Sequence, residues 1–209
     1  MPKVFIYHIT HINNLPSIIR EGGLWCEAKR SEGNLNCLSI AYMALKERRG
    51  RTAVPCGKGG VLSGYVPFYF APRSPMLYVI NHGKVDVYRG GQRPILHLVS
   101  TVEGVQNAGL PFVFTDGHAV MALSQFFEDE KDLRYIDWGL MKARQWNDTP
   151  ADPDRMRRRQ AEFLVYDFFP WELVIGIGVM DQRIASQVDS IISNVSHQPI
   201  VRVKESWYY

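Results

Sequence analysis

The 209-residue chain predicts one α+β domain, and three observations carry that prediction. Short runs of β-branched and aromatic residues recur between Gly, Pro and Asp clusters, which is the pattern of strands. Helical periodicity occurs in a few segments and does not alternate with those runs as regular strand-helix-strand units would require. No internal repeat and no low-complexity linker divides residues 1–209, so a length sufficient for one good core is read as a single domain.

Val4 to Thr10 predicts the first strand, with His8 and His11 at its end. Asn13 or Asn14 can cap a short helix that has Pro16 in its first turn and stops at Gly22-Gly23. Ile40 to Arg51 has helix formers and a basic end, and the glycine-rich run Val54 to Ser63 reads as a mobile loop. Gly64 to Ala71 predicts a strand in which Pro67 argues for an edge or a bulge, and Met76 to Ile80 continues it. Pro94 to Val102 and Pro111 to Thr115 predict further strands. Asp116 then caps a helix through Val120 to Phe127, and Asp132 to Trp146 predicts another helix. Asn147 to Arg159 is a polar, arginine-bearing loop. Last come the strand around Glu162, a strand over Leu173 to Val179, an amphipathic helix carrying Ile184, Val188, Ile191 and Ile192, and a strand over Ile200 to Lys204.

The totals exclude several classes of function. With 46% hydrophobic, 12% aromatic and 22% charged residues the chain is globular rather than disordered or fibrous. Three cysteines without a C-x-x-C pair indicate neither a disulfide framework nor a zinc site, which suits a reducing cytoplasm. No apolar run approaches the ~18–20 residues of a membrane span, and Met-Pro-Lys-Val resembles no signal peptide. His8 and His11 fall on opposite faces of an extended strand, a poor geometry for one metal, and no dinucleotide fingerprint or P-loop is present. The formal charge of +3 is mild, but the basic residues gather in two clusters, Lys46-Arg48-Arg49-Arg51 and Arg155 to Arg159. Two such clusters beside apolar segments fit the path of a polyanion.

The second cluster leads straight into Ala161 to Val165, an apolar strand-like run interrupted by Glu162. A carboxylate desolvated there without partners costs several kcal/mol, so it needs a hydrogen-bonding site or a cleft. On strand alternation Gln160 and Glu162 share one face.

Three separated pieces, YHITHINNL (Tyr7 to Leu15), FYFAPRSPMLY (Phe68 to Tyr78) and RRQAEFLV (Arg158 to Val165), together resemble the ADP-ribosyltransferases, and in detail the DarT toxins that ADP-ribosylate DNA. Each motif is short, and their order along the chain is what makes the set specific. The resemblance implies an ADP-ribosyltransferase-like fold with a split, mixed β-sheet core and flanking helices, using NAD+ as co-substrate and no metal. It implies that His8, Ile9, Thr10, Asn14, Tyr69, Phe70 and Tyr78 bind the cofactor, and that Glu162 and Arg51 carry the chemistry. Gln160, Arg155, Arg157, Arg158, Arg48 and Arg49 would meet the DNA. The acceptor would be a thymine in single-stranded DNA and the partner a macrodomain antitoxin. Two other readings stay open at this stage. One keeps the chemistry but moves it to protein, RNA or a 2′-phosphate; the other is a non-enzymatic nucleic-acid-binding module in which Glu162 is structural.

Overall fold

The β-branched and aromatic runs pair into one eight-stranded mixed sheet. The computed structural model describes residues 3–33, 35 and 37–209; of the predicted domain 1–209, Met1, Pro2, Asn34 and Asn36 lie outside the described residues. In chain order the strands are β1 (Phe5–His11), β2 (Gly23–Trp25), β3 (Tyr65–Tyr69), β4 (Ile95–Thr101), β5 (Phe112–Thr115), β6 (Phe126–Phe127), β7 (Glu162–Tyr166), β8 (Phe168–Pro170), β9 (Gly176–Val179) and β10 (Ile200–Val203). The sheet runs β10-β9-β4-β1-β3-β7-β5-β6, and β2 with β8 forms a separate two-stranded ribbon. Among the described residues only β9 and β10 pair in parallel. Helices α1 (Leu15–Arg20), α2 (Glu27–Glu32), α3 (Met43–Arg49), α4 (Pro75–Asn81), α5 (Val102–Asn107), α6 (Trp138–Lys142), α7 (Arg155–Arg159) and α8 (Gln182–Ile192) flank it. The main core gathers Ile6, Phe68, Leu98, Phe163, Phe169 and Val188 between sheet and helices.

The split in the sheet lies between β1 and β3. These strands meet at one residue pair, Tyr7 with Tyr69, whereas β1 pairs with β4 along its whole length. Pro67 sits in this interior position and not at an edge. Its carbonyl accepts the His8 Nδ1–H at 2.8 Å, so its missing N–H also points toward β1, where no ladder requires a donor.

Other expectations from sequence are corrected by local hydrogen bonding. Met76 to Ile80 is helical because Ser74 caps the Leu77 N–H and Pro75 stands in the first turn. Asp116 caps no helix: its carboxylate accepts the Gln125 N–H and pairs with Arg157, turning the chain back toward β6. Asp132 to Trp146 breaks into a 3-10 turn over Glu130–Tyr135 and the short α6, because Asp137 offers a fresh cap to Leu140. Arg155 to Arg159 is helix α7 rather than loop. Gln160 is its C-cap and does not extend the strand face of Glu162. The run Val54 to Ser63 is a tied turn, closed by the Val54 N–H to Gly60 carbonyl bond and the bridge between Ala53 and Val61. Leu173 ends a 3-10 turn (Trp171–Leu173), and β9 starts at Gly176.

Candidate active site

Beyond the Tyr7-Tyr69 pair, β1 and β3 diverge and leave the edge of β1 from His8 to Thr10 unpaired on that side. A cleft opens there, floored by His8, Ile9, Thr10, Pro67 and Tyr69. Its roof is formed by residues 37–41, ahead of α3. Asn14 fastens that roof: its amide donates to the Leu38 carbonyl at 3.0 Å and accepts the Leu38 N–H at 2.8 Å, while also donating to the Thr10 hydroxyl. Glu27 of α2 adds a bridge to Lys46 of α3 at 2.9 Å. Asn14 thus stands at the N-cap position of α1 without capping it.

Glu162 stands behind the wall of this cleft, joined to it through Arg49, and lies opposite Tyr69 in the β3-β7 register. It is only 4% exposed and both its oxygens have partners. Arg49 Nη1 donates to Oε2 at 2.6 Å, and the Ala119 N–H donates to Oε1 at 3.1 Å. The carboxylate is therefore desolvated yet satisfied, which a structural core would avoid and a catalytic site can use. A second nitrogen of Arg49, Nη2, is buried without a partner in a side chain that lines the cleft.

Neighbouring groups are set by the same enclosure. Burial holds the His8 imidazole down to about 4, with the Pro67 hydrogen bond opposing and Arg30 reinforcing the shift. His8 is therefore neutral near pH 7. Because a carbonyl only accepts, Nδ1 carries the proton and Nε2 is left as an acceptor. Burial first, and the Glu162 charge second, push the Tyr69 hydroxyl up, with Arg49 opposing. His118 is held down by burial, with Glu162 pulling the other way; its place beside Glu162 and Arg49 gives no signal in sequence.

The structure brings together His8, Ile9, Thr10, Asn14, Tyr69, Arg49 and Glu162, and leaves other predicted residues outside. Phe70 is a core aromatic against Phe114, Trp138 and Phe163, because the residue after Tyr69 faces the other side of the strand. Tyr78, on α4, stacks with His82, Trp146 and Tyr209. Arg51 lies past the end of α3 and is exposed, so the cation against Glu162 is Arg49. Arg48 reaches the Val120 carbonyl at 3.3 Å. In α7, Arg157 is bound by Asp154 and Asp116, and Arg158 by Asp137 and Asp152. Arg155 meets the carbonyls of Asn147 and Gln145, and Gln160 donates back to the Met156 carbonyl. Among the described residues no three His, Cys, Asp or Glu side chains gather as a metal site would need.

Residues 7–209 match the family model of the single-stranded-DNA thymidine ADP-ribosyltransferase, DarT. The chain belongs to the DarT family. Its DarT-family relatives include a DNA ADP-ribosyl transferase of Thermus sp. (strain 2.9), 47% identical over 207 residues, covering 98% of this chain and 95% of the relative. Among solved DarT structures, Thermus sp. 2.9 DarT in complex with ADP-ribosylated single-stranded DNA superposes with a TM-score of 0.92 at 45% identity, covering 99% of this chain and 96% of that one. The same DarT in complex with NAD+ gives a TM-score of 0.88 at 42% identity, covering 100% and 99%. A fusion of a DNA ADP-ribosyl transferase with a DNA ADP-ribosyl glycohydrolase from Thermosipho africanus is 24% identical over 189 residues, covering 90% of this chain and 46% of the fusion.

Proposed function

We propose that this chain is an NAD-dependent transferase that attaches ADP-ribose to a thymine of single-stranded DNA, acting as the toxin of a toxin-antitoxin pair. The observation that carries the chemistry is the desolvated carboxylate of Glu162, held between the Ala119 N–H and Arg49, whose side chain lines the cleft. Breaking the nicotinamide-ribose bond sends its electron pair to the departing nicotinamide and leaves positive charge on the sugar, which a fixed carboxylate stabilises. The acceptor ring nitrogen then bonds the ribose carbon and gives its proton to Glu162 as general base. Arg49 Nη2, without a partner in the resting arrangement, is the donor for the ring oxygen beside the developing negative charge.

His8 Nε2 is the acceptor for a ribose hydroxyl of NAD+, the backbone of Ile9 serves its carboxamide, and the ring of Tyr69 walls the nicotinamide. Thr10 and Asn14 act by holding the roof. Arg51 keeps a contact to the DNA outside the carboxylate pair, Arg48 and Arg155 meet phosphates, and Gln160 steadies the loop ahead of Glu162. Arg157 and Arg158, neutralised by aspartates, brace that loop. Their pairing also weakens the reading as a simple nucleic-acid-binding module, which needs free arginines. We propose residues 1–209 as one catalytic unit in the cytoplasm, counteracted by a macrodomain protein that removes the mark. The fused glycohydrolase of the Thermosipho relative supports that partner class.

Incubation with NAD+ and defined single-stranded oligonucleotides, followed by mass spectrometry, tests the proposal. An ADP-ribose adduct on thymine-containing strands and none on thymine-free strands is expected. An adduct on protein or RNA, with none on any DNA, would overturn it.

A further inference from the structure

The two strands that part beyond Tyr7 and Tyr69 to make the catalytic cleft also part on the other side of that pair. There Lys3 to Phe5 and Phe70 to Arg73 wall a second groove of about 900 Å³, against about 190 Å³ for the cleft, and the two share no lining residue. Its far wall is the segment from Glu130 to Arg144. Among the described residues Glu130 is its one lining carboxylate, and Lys3, Lys142 and Arg144 enter no ion pair.

Deeper in the groove two guanidinium groups lie together without an anion. Arg159 is 3% exposed, yet it meets only the carbonyls of Leu140, Met141 and Arg73. Its Nε is buried and unpartnered, and so is the Nε of Arg73, whose guanidinium rests over the Tyr209 ring at 4.3 Å. Burial lowers the proton affinity of Arg159, with Tyr209 opposing and the charge of Arg73 reinforcing the shift. Like charges held in a desolvated place are unfavourable, and an anion between them relieves the repulsion while taking up both orphan donors. The aromatic faces of Phe5, Tyr7 and Trp138 stand among these cations. Cations interspersed with the exposed ring of Phe5 and the half-buried rings of Tyr7 and Trp138 suit a single-stranded polynucleotide, which offers phosphates and unstacked bases together, better than an acidic protein.

We propose that this groove carries the phosphates of the acceptor strand flanking the target base, with Arg73 and Arg159 clasping one phosphate and Lys142 and Arg144 gripping the next. This rests on single-stranded DNA being the acceptor, as inferred above. The clasp is close along the chain to the reaction site. Arg73 is four residues beyond Tyr69 and Arg159 three before Glu162, so the clasp lies within about 14 Å of chain from the catalytic pair.

The charge reversal K142E/R144E changes two exposed side chains and leaves the fold alone; R73Q, checked by thermal melting, probes the buried clasp. Binding of a fluorescent thymine-free single-stranded oligonucleotide is followed across a salt series, alongside NAD+ hydrolysis without DNA. K142E/R144E is expected to lose at least tenfold in affinity and to flatten the salt dependence by ~0.7 for each phosphate contact removed, with NAD+ hydrolysis unchanged. Unchanged affinity and slope, in a preparation whose wild type still modifies thymine strands, would overturn the groove while sparing the function. A wild type that modifies no DNA would overturn the function, and with it the strand assigned here. Retained DNA affinity with loss of binding to an acidic protein partner would give the groove to that partner instead and refute the proposal.

Discussion

Among the described residues Glu162 and Arg49 are each other's only salt-bridge partners, 5% and 14% exposed in their side chains. A buried pair of this kind adds little net stability, but removing one member strands the other. Arg49→Ala is expected to lower the unfolding free energy by roughly 3–5 kcal/mol, read by urea titration. Arg49→Met combined with Glu162→Gln should recover most of that loss and no activity. If the double variant is as unstable as Arg49→Ala, the pair is not the source of the cost. Glu162→Gln alone keeps the hydrogen-bonding shape and loses the charge and the base, so turnover should fall by ~10³-fold or more. NAD+ binding, followed by fluorescence quenching, should persist. At the same scale Arg51→Ala distinguishes the two arginines, since an exposed residue outside the ion pair should change DNA affinity before it changes the chemical step.

Among the elements, the roof over the cleft depends on one side chain. Asn14 makes two hydrogen bonds to the Leu38 peptide, each worth about 1 kcal/mol net. Asn14→Ala should raise KM for NAD+ by roughly tenfold or more, with a smaller effect on kcat; an equal fall in kcat at unchanged KM would assign Asn14 to the chemistry. The β2-β8 ribbon depends on Gly23, whose φ of 154° and approach to β8 leave no room for a side chain. A Cβ there would stand 2.2 Å from the Phe169 carbonyl oxygen. Gly23→Ala is therefore expected to destabilise by about 1–3 kcal/mol or more, seen as an earlier thermal transition; an unchanged transition would show that the ribbon can shift at no cost.

Across the whole molecule, His8 and His97 are held neutral, both at about 4, chiefly by burial. The unfolded chain takes up a proton at each near pH 6.5, so between pH 6.5 and about 4 it binds more protons than the folded one. Stability is thus fully present above pH 6.5 and declines as the pH falls toward 4. Urea midpoints measured down that range should fall, and His97→Gln should lessen the slope; a flat profile in the wild type would contradict the burial argument. What the sequence by itself determined was the strand order of the candidate site residues: His8 on the first strand, Tyr69 on a middle one, and Glu162 conspicuous as a charge in an apolar run. The α+β class and most strands were also legible, since alternation and β-branching are local properties. Only the tertiary structure decided which arginine meets Glu162. Arg48, Arg49 and Arg51 are equivalent as composition, and the turn of α3 presents one of them to a carboxylate 113 residues away. It likewise tied Asn14 to the Leu38 peptide, made Phe70 core while Tyr69 stays in the cleft, and neutralised Arg157 and Arg158 with aspartates from separate segments. Partners distant along the chain are fixed by packing, and packing leaves no periodic trace in the residues themselves.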